Sequence, residues 1–549
     1  MARPKKYKYA IHLAKPEVQE YSDFLTDAAR AKISSGAATY GGENIVIGDH
    51  AIVYTFAGPP IPPRWLKQVQ HCFPKVEDFA SNSVSALILF RKSNRIFAAT
   101  FGFAHSFIDA AMRENEFGLR VAINRIKDSD VRTIEKSNLG SAVRDLAQAA
   151  RRSSLDMFKI DDALEVVRQI SGDVSEDGSS IDSVSGASVM KVTSEATLDG
   201  IGSVAEEALQ LFSSKAYQSS QFKIIDMLRQ ERDKSTEQIL FQAAVESIKA
   251  KQDRFELALP EILTDERIGY VKFTGARIRG EFPDVSLRDY VDGLGGGLAA
   301  LTVDDLWKHR LVVYDSASFE ELRSWPIAQA LIGSTSHGGE TYVANEGSWY
   351  QVADGVVSSA ELAFNDALIG LDARLDKIRL VPRQKDGATH TTYETEGEYN
   401  LRVAEDFGFL CMDRELLPDP VGRKLGIELC DLFDPTERRL ILVKRSSRRS
   451  STLSHFFRQG VTAARLFYVD EKFRRQAFDR FVDLSGGSFK DDSIITEPRE
   501  FRFEFRIVDH PRPSGEFRIP FFSRLSLRDE FQILKGMGFQ AKLGFVPQE

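Results

Sequence analysis

Cysteine is scarce in this chain. There are three in 549 residues, Cys72, Cys411 and Cys430, and no two form a C-x-x-C pair. That usage excludes a disulfide framework and a four-cysteine zinc site, and a reducing, cytoplasmic setting is expected. Long apolar runs are missing too. None approaches the ~20 residues that cross a bilayer, so no membrane partner is expected. The basic start MARPKKYKYAIHLAK has no apolar h-region behind it, which argues against a secretory signal. The Walker A lysine, the HRD and DFG pair, HExxH and the G-x-S-x-G elbow are all absent. The run GLGGGLA, with Gly293, Gly295, Gly296 and Gly297, matches neither phosphate-loop spacing and reads as a flexible turn. Ser454 and His455 are adjacent, and neighbours on a helix point about 100° apart, so they do not read as a nucleophile and its base.

What is present is an ordinary globular composition, 42% hydrophobic and 28% charged, in a chain long enough for about three or four domains. Apolar periodicity predicts strands at 7–15, 51–56, 84–91, 95–101 and 117–126, and helices at 17–32, 155–170, 235–250 and 358–371. Residues 341–352 read as a hairpin around Asn345-Glu346-Gly347. At 500–509, Phe501, Phe503, Phe505 and Ile507 alternate with Arg502, Glu504 and Arg506, the pattern of a half-buried strand. The expected fold class is α+β, multidomain, with mixed or antiparallel sheets and packed helices. The expected divisions are an α+β domain at 1–150, a helical and linker region at 151–260 with a loose segment at 171–194, a central α+β domain at 261–490 and a strand–helix extension at 491–549.

The richest stretch is 426–467, GIELCDLFDPTERRLILVKRSSRRSSTLSHFFRQGVTAARLF. Ile427–Phe433 and Leu440–Val443 suit adjacent strands, antiparallel because Asp434-Pro435 and a few polar residues join them. Asp431 stands near the end of the first, and Lys444 follows the second. A helix with polar N-terminal residues comes next. The net charge is −8, but Arg438 to Arg480 holds 12 Lys+Arg against 3 Asp+Glu. That local +9 leaves −17 on the remainder, the distribution of a basic patch on an acidic protein; a solvated helix face gives the same count.

TFGFAHSFID (100–109), FGLRVAIN (117–124), YETEGEYN (393–400), IELCDLF (427–433), LILVKR (440–445) and SSTLSHFFRQG (450–460) carry a resemblance over most of the chain. The chain resembles a family of uncharacterised bacterial proteins described as sporadically distributed. The resemblance implies a mobile-element or defence setting, with a protein partner from a defence operon, and carries no defined activity. Where the family pattern has a histidine before the lysine strand ends, this chain has Leu442.

Two functional readings stand. In the first, the C-terminal part is restriction-endonuclease-like, a Mg²⁺-dependent nuclease of the PD-(D/E)XK kind. Such a site needs an acid at one strand end, an acid-x-Lys on the next strand and often a Glu on a preceding helix. Asp431, Lys444, Glu428 and Glu396 are the candidates, with Asp431 and Glu428 as metal ligands and Glu398 as another helix acid. Two features oppose it. Leu442 occupies the acid-x-Lys position, and Glu428 and Asp431, three apart, share a face only if the strand bulges. In the second reading the chain binds DNA or RNA without cutting it, as a sensor or scaffold. Arg438, Arg439, Arg445, Arg448, Arg449, Ser451, His455 and Arg458 would then meet phosphate around a helix N-terminus. A structural ion pair between Asp431 and Lys444 is the bland alternative to both.

Overall fold

The structure is a computed structural model. It describes residues 5–548 except 64–65, 74, 76, 79, 81–82, 140–142, 162–163, 175–178, 261–267, 276–277, 316–319, 386–387, 419–425, 447–449 and 513. The protein is α+β with several separate sheets. It divides into two compact units. The first holds residues through Ser137, Arg144–Ile225 and Arg232–Lys234. The second holds Asn138–Val143, Asp226–Glu231 and Ser235–Glu549.

The first unit is built on a ten-stranded sheet. Its order is Ala38–Asn44, His50–Ala57, Val84–Lys92, Arg95–Phe101, Tyr7–Leu13, Met190–Ser194, Ser183–Gly186, Glu165–Asp173, Val131–Asn138 and Val143–Ser153. Two helices, Phe117–Arg125 and Ile201–Ser213, supply side chains to the core on one face. Several expectations are corrected here. Residues 117–126 are a helix, not a strand. A short run looks the same in either state when every residue from Phe117 to Ile123, Arg120 included, is buried. The signal lies in glycine: a Cβ on Gly186 would sit 1.8 Å from the Gly118 carbonyl oxygen, so helix and strand meet flush where both lack side chains. Residues 155–170 are a 3₁₀ turn, Leu155–Phe158, followed by the Glu165–Asp173 strand. The 171–194 segment is not a loose connector, because it holds Ser183–Gly186 and Met190–Ser194, two strands of the sheet's middle. Residue 150 falls inside the Val143–Ser153 strand. In 17–32 the α-helix covers only Asp27–Ser34.

The second unit holds a five-stranded sheet that includes the expected hairpin, Glu340–Asn345 with Ser348–Val352, and a three-stranded sheet of Ile268–Thr274, Arg310–Asp315 and Glu321–Pro326. Its C-terminal sheet carries the candidate site. In order across the sheet its strands are β1 (Leu410–Cys411), β2 (Leu432–Asp434), β3 (Arg439–Arg445), β4 (Arg502–Asp509) and β5 (Ala541–Pro547). The first three are antiparallel, and β4 and β5 run parallel to β3. Residues 491–549 therefore complete this sheet and are not an extension. Alternation along β3 sends Leu440 and Leu442 into one core and Ile441 and Val443 into another. The first core is roofed by α2 (Ser450–Val469) and α3 (Phe521–Gly536), the second by α1 (Glu396–Phe407). With both faces covered, β4 is buried from Phe503 to Asp509, so the half-buried expectation fails. Glu504 and Arg506 are tolerated because they pair with each other, and Glu504 pairs with Arg439 as well.

Candidate metal centre

The β2–β3 hairpin closes on Asp434, whose Oδ1 accepts the N–H groups of Thr436 and Glu437. The two segments are adjacent and antiparallel, as expected, with Leu432 opposite Ile441. The first is broken, however. Ile427–Glu428 pairs with Leu416–Leu417, the chain leaves strand geometry at Leu429–Asp431, and β2 begins at Leu432. The break removes the alternation that would have sent Glu428 and Asp431 to opposite faces. Asp431 stays tied to the sheet: its N–H donates to the Ile441 carbonyl (2.9 Å), and its own carbonyl accepts from Met412 (2.7 Å). Its Oδ2 accepts the Val443 N–H at 2.7 Å.

Asp413 stands two residues beyond β1. Arg414 reverses the chain at φ +63° and donates its N–H to Glu428 Oε1 at 2.6 Å. One carboxylate oxygen each from Asp413, Glu428 and Asp431 lies within 4.8 Å of the others. Sequence reasoning missed Asp413. It was legible only as the acid at the end of the strand next to Asp431.

Helix α1 presents its N-terminal turn to this cluster. Thr395 and Glu398 form a capping box that fixes the start of the helix. Glu398 also takes Arg383 (2.6 Å), so its carboxylate is spent on structure. Glu396 faces β3 and accepts the Arg445 N–H at 2.7 Å and Lys444 Nζ at 3.0 Å. A Cβ on Gly397 would stand 2.8 Å from Asp413 Oδ2, so the carboxylate lies against bare backbone at the positive end of the helix dipole. Asn400, four residues from Glu396 and so on the same face, is fully buried. Neither of its amide atoms has a hydrogen-bond partner among the described residues.

Burial pushes the Asp431 carboxyl well above the usual carboxylate range. The Glu428 charge adds to this, the Val443 N–H opposes it, and Glu396 and Asp413 add smaller contributions. Burial raises Glu428 too, against the Arg414 N–H and together with Asp413. Acids that are costly to ionise side by side are a good receptor for a cation. Opposite oxygens around Mg²⁺ stand about 4.2 Å apart and around Ca²⁺ about 4.6–5.2 Å. The three oxygens fit one such ion with little movement. Asp413, Glu428 and Asp431 would hold it.

The other candidates fare unevenly. Arg439 is buried and bound by Asp434 (2.7 Å), Asp372 (2.6 Å) and Glu504 (3.3 Å) at the turn end of the hairpin, so it is not a phosphate contact. Arg445 is buried as well, donating to the Pro283 carbonyl and stacking on Tyr393. Arg438 is half-buried and pairs with Asp491 and Glu500. Ser451 is buried. His455 and Arg458 are exposed, Arg458 beside Glu530 at 3.4 Å. Arg448 and Arg449 lie outside the described residues. Ser454 bonds Ser526 and the Ser450 carbonyl. Leu442, at the expected acid position, fills the core under Gly460. Lys444 has Glu396 as an ion-pair partner.

A family model described as a family of unknown function (DUF6119) matches residues 9–547. The chain belongs to that family. No curated protein and no solved structure matches it. Among the described residues no helix is long and apolar enough to cross a membrane.

Proposed function

We propose that the chain is a metal-dependent nuclease of the PD-(D/E)XK kind, acting in bacterial defence against foreign nucleic acid. The observation that carries this reading is the convergence of Asp413, Glu428 and Asp431 beside Lys444 and Glu396, from a hairpin and the helix before it. Asp413 takes the part of the acid lost at Leu442. Bound Mg²⁺ would supply a Lewis acid and a water of lowered pKa. Lys444 offsets charge gathering on the phosphoryl oxygens, and Glu396 holds its ammonium in place. The defence role rests on the resemblance alone. A non-catalytic binder is less well supported, because Arg438 and Arg439 are engaged by carboxylates and Arg445 is buried.

The test is cleavage of labelled DNA and RNA, single- and double-stranded, with Mg²⁺ or with chelator. Wild type should cut only with metal. Asp431→Asn and Lys444→Ala should each lose at least about 10²-fold, the scale of removing one transition-state charge partner. Arg438→Ala should cut normally. Absence of metal-dependent cleavage, or equal cleavage by Asp431→Asn, overturns the reading.

A further inference from the structure

The first unit's sheet has two unlike faces. Tyr9, Ile11, Ile170, Val184 and Val192 point into the core. Their neighbours point the other way, and the strand register lines them up. Lys8 stands opposite Thr193, which stands opposite Ser183, which stands opposite Asp173. In the next row Thr100, Ala10, Lys191, Ser185 and Ser171 follow one another across five strands. This face is therefore small hydroxyls and lysines with no large apolar side chain in either row. It lines a groove of about 590 Å³. Lys8 and Lys191 are exposed, and neither has an ion pair among the described residues. As diagonal cross-strand neighbours they stand about 7–8 Å apart. Arg132 lines the groove too. The one carboxylate in its wall among the described residues, Asp173, is neutralised by Arg132 (2.6 Å) and Arg152 (3.0 Å).

We infer that this face is a binding track for a single nucleic-acid strand. The Thr193 and Ser183 hydroxyls beside exposed Lys8 and Lys191, with Arg132 in the same groove, are complementary to a polyphosphate backbone. Hydroxyls donate to phosphate oxygens, and the lysines supply charge. The identity of the polyanion rests on the nuclease reading; the cationic groove does not.

The test uses the full chain carrying Asp431→Asn, in chelator, so that nothing is cut. Anisotropy of a labelled single-stranded DNA or RNA oligonucleotide is followed against salt. Lys8→Ala/Lys191→Ala should weaken binding and lower the slope of log affinity against log salt by about 1.4, at about 0.7 for each phosphate that a lysine neutralises on a single strand. Lys8→Arg/Lys191→Arg should retain both, and Arg438→Ala should change neither. Both lysines are exposed, so an unchanged circular dichroism spectrum is expected. If the double alanine variant fails to fold, Lys191→Glu alone should still reduce affinity. An unchanged slope, or no binding of either oligonucleotide at low salt, overturns the inference. Binding that follows these lysines with no metal-dependent cleavage by wild type would overturn the nuclease reading and leave the track standing.

Discussion

Adding and removing Mg²⁺ puts the carboxylate cluster to the most direct trial. Two unit charges 4–5 Å apart near a protein surface repel by about 3–4 kcal/mol. The oxygens of Asp413, Glu428 and Asp431 lie within 4.8 Å of one another. Without a cation, that repulsion is relieved by holding protons, which is the direction in which Asp431 and Glu428 are shifted. A divalent ion bound only in the folded state stabilises it by about 2.7 kcal/mol at 100 times its dissociation constant. The sensitive reporter is the Val443 amide, which donates to Asp431. Native-state hydrogen exchange at Val443 should slow by up to about 100-fold at such Mg²⁺ levels if that amide opens by unfolding of this unit. Protons and metal compete for the same oxygens, so Mg²⁺ affinity should rise with pH. In Asp431→Asn the hydrogen bond can persist while the charge is gone, and the Mg²⁺ response should collapse. Equal slowing in wild type and Asp431→Asn, or none in either, would refute the metal-site reasoning.

Three more outcomes follow from the packing. Arg439→Leu should destabilise the second unit by about 3 kcal/mol in urea melts, because the buried carboxylates of Asp434 and Glu504 lose the guanidinium they share and are left with Arg374 on one side and Arg506 and Arg502 on the other; Arg438→Ala, at a half-buried site, should cost about 1 kcal/mol or less. Gly460→Ala should destabilise by about 1–2 kcal/mol despite alanine's better helix propensity, since its Cβ would sit 2.4 Å from the Phe505 ring. Burial, with Arg113 and His105 nearby, holds His12 down at about 3, while in the unfolded chain it titrates near 6.5. Its folded pKa is depressed, so the unfolded state binds the extra proton. Stability is full above pH 6.5 and falls by about 1.4 kcal/mol per pH unit below it, so wild type should lose about 2 kcal/mol more than His12→Gln between pH 7 and pH 5 in urea midpoints.

The parts of this fold that sequence makes legible are those with a single strong local signal. The 84–101 hairpin and the 341–352 hairpin read correctly because alternation and turn residues agree. Residues 117–126 do not, because a helix buried all round has no polar stripe. The 171–194 segment is obscured by chemistry: its serines and glycines read as a loop, yet serine on the open face of a sheet next to valine on the closed face is a strand with one wet side. The same composition that hides the strands marks the face on which a polyanion track is inferred.

The site shows a different limit. Asp431, Lys444 and Glu396 are each identifiable from their place at strand and helix ends, and the structure brings them together. Their convergence with Glu428 depends on a break at Leu429–Asp431 that no residue in that run demands. What forces the break is remote. Residues 427–428 pair with 416–417, outside the five-stranded sheet, while Leu432 pairs with Cys411 and Ile441 inside it. A chain that serves two sheets within five residues cannot keep its pleat, and the acids on either side of the lost pleat turn to the same place. Two arginines of the basic patch are spent for the complementary reason. Its charge count is correct, but counting cannot see that Arg439 meets Asp372, 67 residues away, or that Arg438 meets Glu500, 62 residues away. Charge read along the chain overstates the field wherever a distant carboxylate folds back to neutralise it. In the inferred track, by contrast, Lys8 stands opposite Thr193 and Lys191 opposite Ser185, with no carboxylate paired across from either.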